Sequence, residues 1–285
     1  MTKDLGASVR ARLLNLAKSE GSDFNQVLVR YTLERFLYRL SQSDYADQFL
    51  LKGALLFTLW YDQPHRATRD ADLLGFDSSD LNEITRVFRE IANVQAEDGI
   101  SFDAKSVATK EIRKEASYQG ARVLITATIA NARCKTQIDI GFGDAVTPEP
   151  IDAIFPVMLT GSLAPKLRTY PVYTVIAEKL HAVVLLGMTN SRLKDYLDLW
   201  VLLTRETPNT STLKLAITAT FERRSTPIPL EMPIGLTDQF AQAPSKQTMW
   251  NALVTKNEIE ATPLTTVVRE IRQSVRSVLI ASDSR

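Results

Sequence analysis

The sequence predicts an α+β protein with N-terminal helices, a small mixed sheet and a helical C-terminal half. Apolar residues recur with helical spacing before residue 94, β-branched residues alternate in the middle, and helical spacing returns after residue 172. The chain is 45% apolar and 24% charged, which excludes a disordered, collagenous or disulfide-stapled protein. Its 285 residues suggest two domains, which we expect at 1–150 and 151–285.

Three segments of the N-terminal half have the apolar spacing of amphipathic helices. The spacing predicts helices over Asp23–Leu40, Phe49–Tyr61 and Asp80–Val94. The first and third begin at aspartates, which are typical N-cap residues. A polar turn follows the second helix and leads into a short predicted strand near Asp70–Phe76.

The middle of the chain changes to a strand pattern. Residues 121–130 and 135–142 alternate between apolar and polar, and a predicted turn at Asn131–Arg133 joins them into a hairpin beside the first strand. Five prolines between Val146 and Pro171 predict an irregular connection. The helices expected after it are Tyr173–Leu186, Ser191–Thr204, Thr212–Arg224, Ser245–Lys256 and Thr262–Ala281.

The cysteine content and the apolar stretches indicate the compartment. Cys134 is the single cysteine and cannot form an internal disulfide, which favours a reducing compartment. Apolar stretches such as Leu50–Tyr61 are too short to cross a bilayer, and the N-terminus lacks the apolar core of a secretory signal. We therefore expect a cytoplasmic protein with no membrane partner.

Three aspartates form the strongest chemical signal. Asp70 and Asp72 lie two apart on the first predicted strand, so their carboxylates face the same side and repel each other unless a cation lies between them. Asp139 supplies a third carboxylate from the polar face of the hairpin. Hard oxygen ligands favour Mg²⁺ or Mn²⁺ over zinc, and such a site is typical of phosphoryl transfer. The alternative for a D-x-D motif alone is a turn or a solvated edge.

A basic segment runs from Lys105 to Lys135. It contains seven Lys or Arg residues and two glutamates, and a local positive charge of this kind can attract phosphate. The alternative is an ordinary solvated face. With a net charge of +1, the whole chain gives no general argument for nucleic acid.

Six further residues invite a functional or a structural interpretation. Gly53 can let a phosphate approach the backbone, or can serve a close helix–sheet contact. Lys179 lies on an otherwise apolar helix and is either functional or an exposed lysine with a buried stem. Asp195 and Asp198 share a helical face, where they could also form surface salt bridges. His65 and His181 have no partner at the spacing of a hydrolase triad.

Five segments together carry a resemblance to a known family: KGALLF, RATRDADL, QIDIGFGD, AEKLHA and KDYLDL. In order and spacing they resemble the AbiEii/AbiGii toxin family of nucleotidyltransferases, which includes the mycobacterial MenT toxins. The resemblance implies a polymerase-β-like core, which we place in 1–150, followed by a helical domain in 151–285. It also implies a toxin of a toxin–antitoxin or phage-defence system that transfers a nucleoside monophosphate from an NTP.

The resemblance assigns roles to individual residues. Gly53 and Thr68 match nucleotide-binding positions, and Lys179 matches a lysine expected at the triphosphate. Asp70, Asp72 and Asp139 match the carboxylates that hold Mg²⁺. We therefore expect Asp70, Asp72, Lys179 and Asp195 to be catalytic, with the last two contributed by the C-terminal domain.

Some positions depart from the family pattern. Ala54 and Lys194 replace residues that the family pattern favours, and the interval between Gly53 and Asp70 is longer than in minimal members. None of these changes removes an expected metal ligand. The resemblance therefore still implies an active, Mg²⁺-dependent enzyme.

The partners implied by the resemblance are an NTP, tRNA modified at its 3′ end, and a cognate antitoxin. Two other functions stay open on the residues alone. The same chemistry could modify a protein side chain, as AMPylating enzymes do. The chain could also be a non-catalytic binding partner such as an antitoxin, although the presence of both Asp70 and Asp72 argues against that reading.

Overall fold

The computed structural model describes residues 4–62, 64–66, 68–76, 78–114, 118–257 and 262–280, without the side chains of residues 113, 114, 118 and 119. The chain divides into two compact units. The first comprises Met1–Gly143 and Ile151–Thr169, and the second comprises Asp144–Pro150 and Tyr170–Arg285. Whether the sequence divides into folding domains at residue 150 stays a prediction.

Within the described residues, the first unit contains one mixed sheet of seven strands in the order β3-β4-β5-β2-β1-β7-β6. The strands are β1 (Phe49–Lys52), β2 (Asp70–Gly75), β3 (Ile100–Lys114), β4 (Tyr118–Ile129), β5 (Ala132–Phe142), β6 (Ile151–Ile154) and β7 (Lys166–Thr169). Strand β2 lies in the centre, antiparallel to β1 and parallel to β5. The expected α+β class and the hairpin beside the first strand are confirmed.

Helices cover one face of this sheet. They are α1 (Leu5–Glu20), α2 (Phe24–Ser41) and α4 (Leu81–Asn93), whereas α3 (Leu56–Trp60) follows β1 in the chain. Leu13 and Val27 pack with Ala127 and Cys134 of the sheet in one buried cluster. Because side chains alternate along a strand, the residues next to these on β4 and β5 belong to the opposite, more polar face.

The second unit is helical. Its helices are α5 (Val172–Leu186), α6 (Leu193–Arg205), α7 (Thr210–Arg223), α8 (Asp238–Gln242), α9 (Pro244–Asn257) and α10 (Leu264–Leu279). The stretch Val172–Thr189 is apolar and long enough to cross a membrane by composition. However, many of its apolar residues, including Val175, Ile176 and Leu180, are buried in the protein core.

Several predicted elements were wrong. Phe49–Lys52 is a central strand rather than the start of a helix, because a short apolar run has no periodicity that separates a buried strand from a buried helix. Strands β6 and β7 occupy part of Val146–Pro171, where we expected an irregular connection. Helix α1 and strand β3 were not predicted. The last helix begins at Leu264, and Ala281 lies outside the described residues.

Candidate active site

Strand β2 places the two aspartates of the D-x-D motif on the polar face of the sheet. Asp70 and Asp72 are two residues apart and both are partly exposed. The Thr68 hydroxyl donates a hydrogen bond of 2.7 Å to Oδ1 of Asp70. Burial of Ala71, Leu73 and Leu74 anchors the strand, so the two carboxylates are fixed in the backbone frame of the central sheet.

Gly53 follows β1 and lies directly against Asp72. Its φ of +72° is a conformation that other L-residues rarely adopt. A Cβ at this position would also lie 2.7 Å from Cβ and 2.8 Å from Cγ of Asp72. The close-contact explanation therefore holds for Gly53, and its role in nucleotide binding stays a prediction. The preceding residue, Lys52, is buried and is the register partner of Asp72 on the neighbouring strand. The sequence analysis assigned no role to Lys52.

Asp139 lies beside this pair, as predicted, but its carboxylate has a fixed partner. Asp139 is the register partner of Asp72 on β5, so both side chains belong to the same face. Arg122 on β4 pairs with Asp139 from the other side and donates two hydrogen bonds of 2.8 Å, from Nε to Oδ1 and from Nη2 to Oδ2. Hydrogen bonding to Asp139 raises the pKa of Arg122, and the charges of Asp139, Asp70 and Asp72 add to the increase.

The Arg122–Asp139 pair could have been predicted from the sequence if the hairpin turn had been placed at the right residues. The hairpin turns at Ala130 and Asn131, so Ile129 pairs with Ala132 and, seven residues along each strand, Arg122 pairs with Asp139. A turn at Asn131–Arg133 implies a different register, because one extra residue in the loop changes every cross-strand pair.

The two carboxylates on β2 are suitable ligands for a divalent cation. Both supply the hard oxygen atoms that Mg²⁺ prefers, and Mg²⁺ often binds through one or two carboxylates, with water and substrate phosphates completing its octahedron. Within the described parts of the chain, no three His, Cys, Asp or Glu side chains converge as a metal site. Because Mg²⁺ takes only one or two carboxylates in such sites, the pair on β2 suits a metal that is bound together with a nucleotide.

In the second unit, Lys179 of α5 is held between two aspartates of α6. Its Nζ donates hydrogen bonds of 2.8 Å to Oδ1 of Asp195 and 2.7 Å to Oδ2 of Asp198. The side chains are 12%, 7% and 0% exposed, respectively. The expected i, i+3 face is confirmed, and the alternative of a salt bridge to Arg192 or Lys194 holds in part, because Asp195 pairs with the exposed Arg192 although both carboxylates are buried. Nε of Arg192 also lies 2.7 Å from Oδ2 of Asp195.

A family model of the AbiEii nucleotidyltransferase toxins of type IV toxin–antitoxin systems matches residues 35–277. The chain belongs to the AbiEii family. Among solved structures, it resembles a candidate nucleotidyltransferase from H. pylori, with 18% identity, a TM-score of 0.48, and coverage of 87% of this chain and 92% of that one. It also resembles JHP933 from Helicobacter pylori, with 14% identity, a TM-score of 0.47, and coverage of 87% and 89%. No curated protein matches it.

Membership of the AbiEii family gives the chain the fold and general activity of a nucleotidyltransferase toxin. The family uses an NTP with a divalent metal, and a type IV system implies a cognate antitoxin. The structure groups the predicted residues within each unit. Gly53, Thr68, Asp70, Asp72 and Asp139 lie around the centre of the sheet, while Lys179 and Asp195 pair within the helical unit.

A second polar cluster of this AbiEii protein surrounds His181 in the helical unit. The His181 ring lies 2.9 Å from the Thr226 hydroxyl and 3.2 Å from Nη1 of Arg224. Arg224 donates to Asp144, with an Nη2–Oδ1 distance of 2.9 Å. Burial, with the Arg224 charge adding to it, lowers the pKa of His181 from 6.5 to about 4. The neutral, fixed ring agrees with the structural role expected for this histidine.

Proposed function

We propose that this chain is a Mg²⁺-dependent toxin that transfers a nucleoside monophosphate from an NTP to the 3′ end of tRNA and so blocks translation in the cytoplasm. The observation that carries the proposal is the Asp70–Asp72 pair, which lies on a rigid central strand with Gly53 against it. Such a pair is a preorganised negative site for a metal-bound triphosphate.

In the proposed reaction, the acceptor hydroxyl oxygen forms a bond to the α-phosphorus of the NTP. The bond from that phosphorus to the bridging oxygen breaks, pyrophosphate leaves and the hydroxyl proton passes to solvent. Asp70 and Asp72 hold Mg²⁺, which when bound offsets negative charge on the phosphates. Thr68 orients Asp70 through its 2.7 Å hydrogen bond, and Gly53 leaves room for the carboxylate of Asp72.

Within the helical unit, Lys179 and Asp195 keep the roles that the family resemblance assigns to them. The ammonium of Lys179 has three N–H donors, and the two short hydrogen bonds to Asp195 and Asp198 fix its position. A lysine held in this way is a point charge suited to a triphosphate. We propose that Lys179 binds the nucleotide and that Asp195 acts through Lys179 as a positioning residue.

Exposed basic residues on the polar face of the sheet favour a polyanionic acceptor. Lys110 on β3 is the register partner of Arg122 on β4, so the two side chains lie on the same face of the sheet. Arg133 and Lys135 lie on the same face of β5 as Asp139. Lys110, Arg133 and Lys135 are exposed. Part of the basic segment thus lies on the face that carries the D-x-D carboxylates. The side chains of Arg113 and Lys114 are outside the described residues.

The decisive experiment incubates the protein with each α-³²P-labelled NTP, Mg²⁺ and either total RNA or total protein. The proposal predicts label on tRNA, none in excess EDTA, and none with the Asp70→Asn variant. Label on protein would make the chain a protein-modifying nucleotidyltransferase. Absence of label on every macromolecule would favour the non-catalytic alternative.

The acceptor surface has a separate test. The triple variant Lys110→Glu, Arg133→Glu and Lys135→Glu should weaken tRNA modification and flatten its salt dependence, since each phosphate contact contributes a slope of about −0.7 to −0.9 in log K against log salt. In the control variant, Lys18, Lys214 and Lys256 are each replaced by glutamate; these lysines are exposed on helices rather than on the sheet. Equal tRNA modification by both variants at physiological salt would place the acceptor on another surface.

A further inference from the structure

Leu124 is an exposed apolar residue on the polar face of the sheet. It lies on β4 and is 40% exposed. Its register partners are Ala108 on β3, which is exposed, and Gln137 on β5, which is partly exposed. A single exposed leucine is common on protein surfaces and needs no explanation by itself. The residues around Leu124 are what give it a function.

The row of register partners that contains Leu124 leads to the D-x-D motif. Gln137 is the partner of both Leu124 and Asp70, so these three side chains lie on one face in neighbouring strands. With strands about 4.8 Å apart, Leu124 lies two strands, or roughly 10 Å, from Asp70. One nucleotide spans such a distance. A base in contact with Leu124 can therefore belong to a nucleotide whose ribose lies beside Asp70.

Leu124 and Gln137 together match the chemistry of a nucleobase. A base has an apolar face and a polar edge that carries both hydrogen-bond donors and acceptors. The leucine side chain offers an apolar contact to the face, and the glutamine amide offers one acceptor and two N–H donors to the edge.

Exposed basic residues lie on both sides of Leu124 along the strands. Lys110 on β3 lies on one side, while Lys135 and Arg133 on β5 lie on the other. Asp103 is an exposed acid on the same face, so the basic residues outnumber it. Cations on both sides of an apolar contact suit a single strand, because its phosphates continue in both directions from each base.

We propose that Leu124 and Gln137 form a subsite for an unpaired nucleobase of the acceptor, so that the sheet accepts a single-stranded RNA end. The inference rests on the proposed transfer to RNA and names the form of RNA that is modified. One face of the base contacts Leu124 and Ala108, and its edge hydrogen-bonds to the Gln137 amide. Bases in a duplex are stacked and paired, whereas the unpaired bases of a single strand are free to lie on a sheet surface.

The test measures RNA binding by fluorescence anisotropy, without NTP or metal, so that no transfer occurs. The probes are a labelled RNA hairpin with a short unpaired 3′ end and the same hairpin with a blunt end. The parent should bind the unpaired end about tenfold more tightly than the blunt end, and Leu124→Ala should lose about fivefold of that affinity. Leu124→Phe should tighten binding about threefold, because bases stack on aromatic rings. A misfolded variant would not show this gain.

The matched control is Leu215→Ala, which removes an exposed leucine from α7. It should leave the affinity for both hairpins unchanged. Leu124→Ala should likewise leave the affinity for the blunt hairpin unchanged, because that probe offers no unpaired base.

Removal of a base from the RNA provides an independent arm. An abasic nucleotide is placed at each unpaired position of the probe in turn. At the position whose base contacts Leu124, the abasic probe should weaken binding by the parent but should not weaken binding by Leu124→Ala any further. Gln137→Ala should be coupled to the same position.

Three results would overturn the proposal. The first is equal binding of the two hairpins by the parent, including no binding of either. The second is an additive effect of Leu124→Ala and the abasic nucleotide at every position. The third is weaker NTP binding by Leu124→Ala in equilibrium dialysis with Mg²⁺, which would assign the base to the NTP instead. A protein that shows the coupling but transfers no label to RNA would contradict the proposed function, whereas labelled tRNA without the coupling would contradict only this subsite.

Discussion

Two pairs of aspartates occupy very different environments in this protein. Asp70 and Asp72 are partly exposed on a central strand, whereas Asp195 and Asp198 are buried on a helix and share one lysine ammonium. Unpaired buried charges are costly, so the helical pair depends on Lys179 for stability. The strand pair remains accessible to a cation from solvent. The difference predicts that one pair serves mainly chemistry and that the other also supports the fold.

The largest expected effect is on activity at the strand pair. Asp70→Asn or Asp72→Asn should reduce nucleotide transfer about 10³-fold or more, which corresponds to roughly 4 kcal/mol of lost transition-state stabilisation. The assay is label transfer from an α-³²P NTP, with Asp152→Asn, an exposed aspartate of β6, as the matched control.

The helical pair should respond first in stability. Lys179→Ala leaves Asp195 and Asp198 buried without their shared cation, so the free energy of unfolding should fall by about 3–5 kcal/mol. Denaturant unfolding measures this change. Lys194→Ala, an exposed lysine on the same helix as the aspartates, should change stability by less than about 0.5 kcal/mol.

A growth assay distinguishes loss of the strand carboxylates from loss of the lysine that Asp195 and Asp198 share. Expression of the parent should arrest growth, and Asp70→Ala should relieve the arrest at an unchanged protein level. Lys179→Ala should also relieve it, but with a lower level of folded protein. If both variants stayed toxic at equal level, growth arrest would have to come from binding or aggregation rather than from catalysis.

A smaller effect is expected from substitution of Gly53, whose backbone lies against Asp72. Gly53→Ala should cost about 2–3 kcal/mol of stability and also lower transfer, because the new Cβ strains the backbone and displaces the Asp72 carboxylate. Gly161 has a similar positive φ but open space around it, so Gly161→Ala should show the backbone strain alone. Equal effects on stability and transfer would mean that the Asp72 contact is unimportant.

The smallest expected effect is a pH dependence of the helical unit. Because the pKa of His181 is about 4 in the folded protein and 6.5 ordinarily, the unfolded chain binds more protons between these values, and stability falls as the pH drops through this window. The loss from pH 7 to pH 5.5 should be about 1 kcal/mol. His181→Gln should show a flatter pH dependence in denaturant unfolding, and an unchanged slope would contradict the assignment.

Much of the local structure followed from the sequence by itself. Asp23 and Asp80 cap α2 and α4, because their carboxylates accept backbone N–H groups of the first turn, an interaction between near neighbours. The alternation in β4 and β5 fixed the polar face, and the D-x-D spacing placed Asp70 and Asp72 on one side of a strand. The order of the short motifs indicated the AbiEii family, to which the chain belongs.

Only the tertiary structure decided which charges are paired and which are accessible. The partners of Asp139 and Lys179 lie 16 to 19 residues away in the chain, so a one-residue difference in a turn or an unpredicted packing of two helices changes them. Whether Phe49–Lys52 became a strand also depended on β2 and β7, which hydrogen-bond to its two edges. Helix caps and strand faces depend on adjacent residues, whereas ion pairs and central strands depend on contacts that only the folded chain creates.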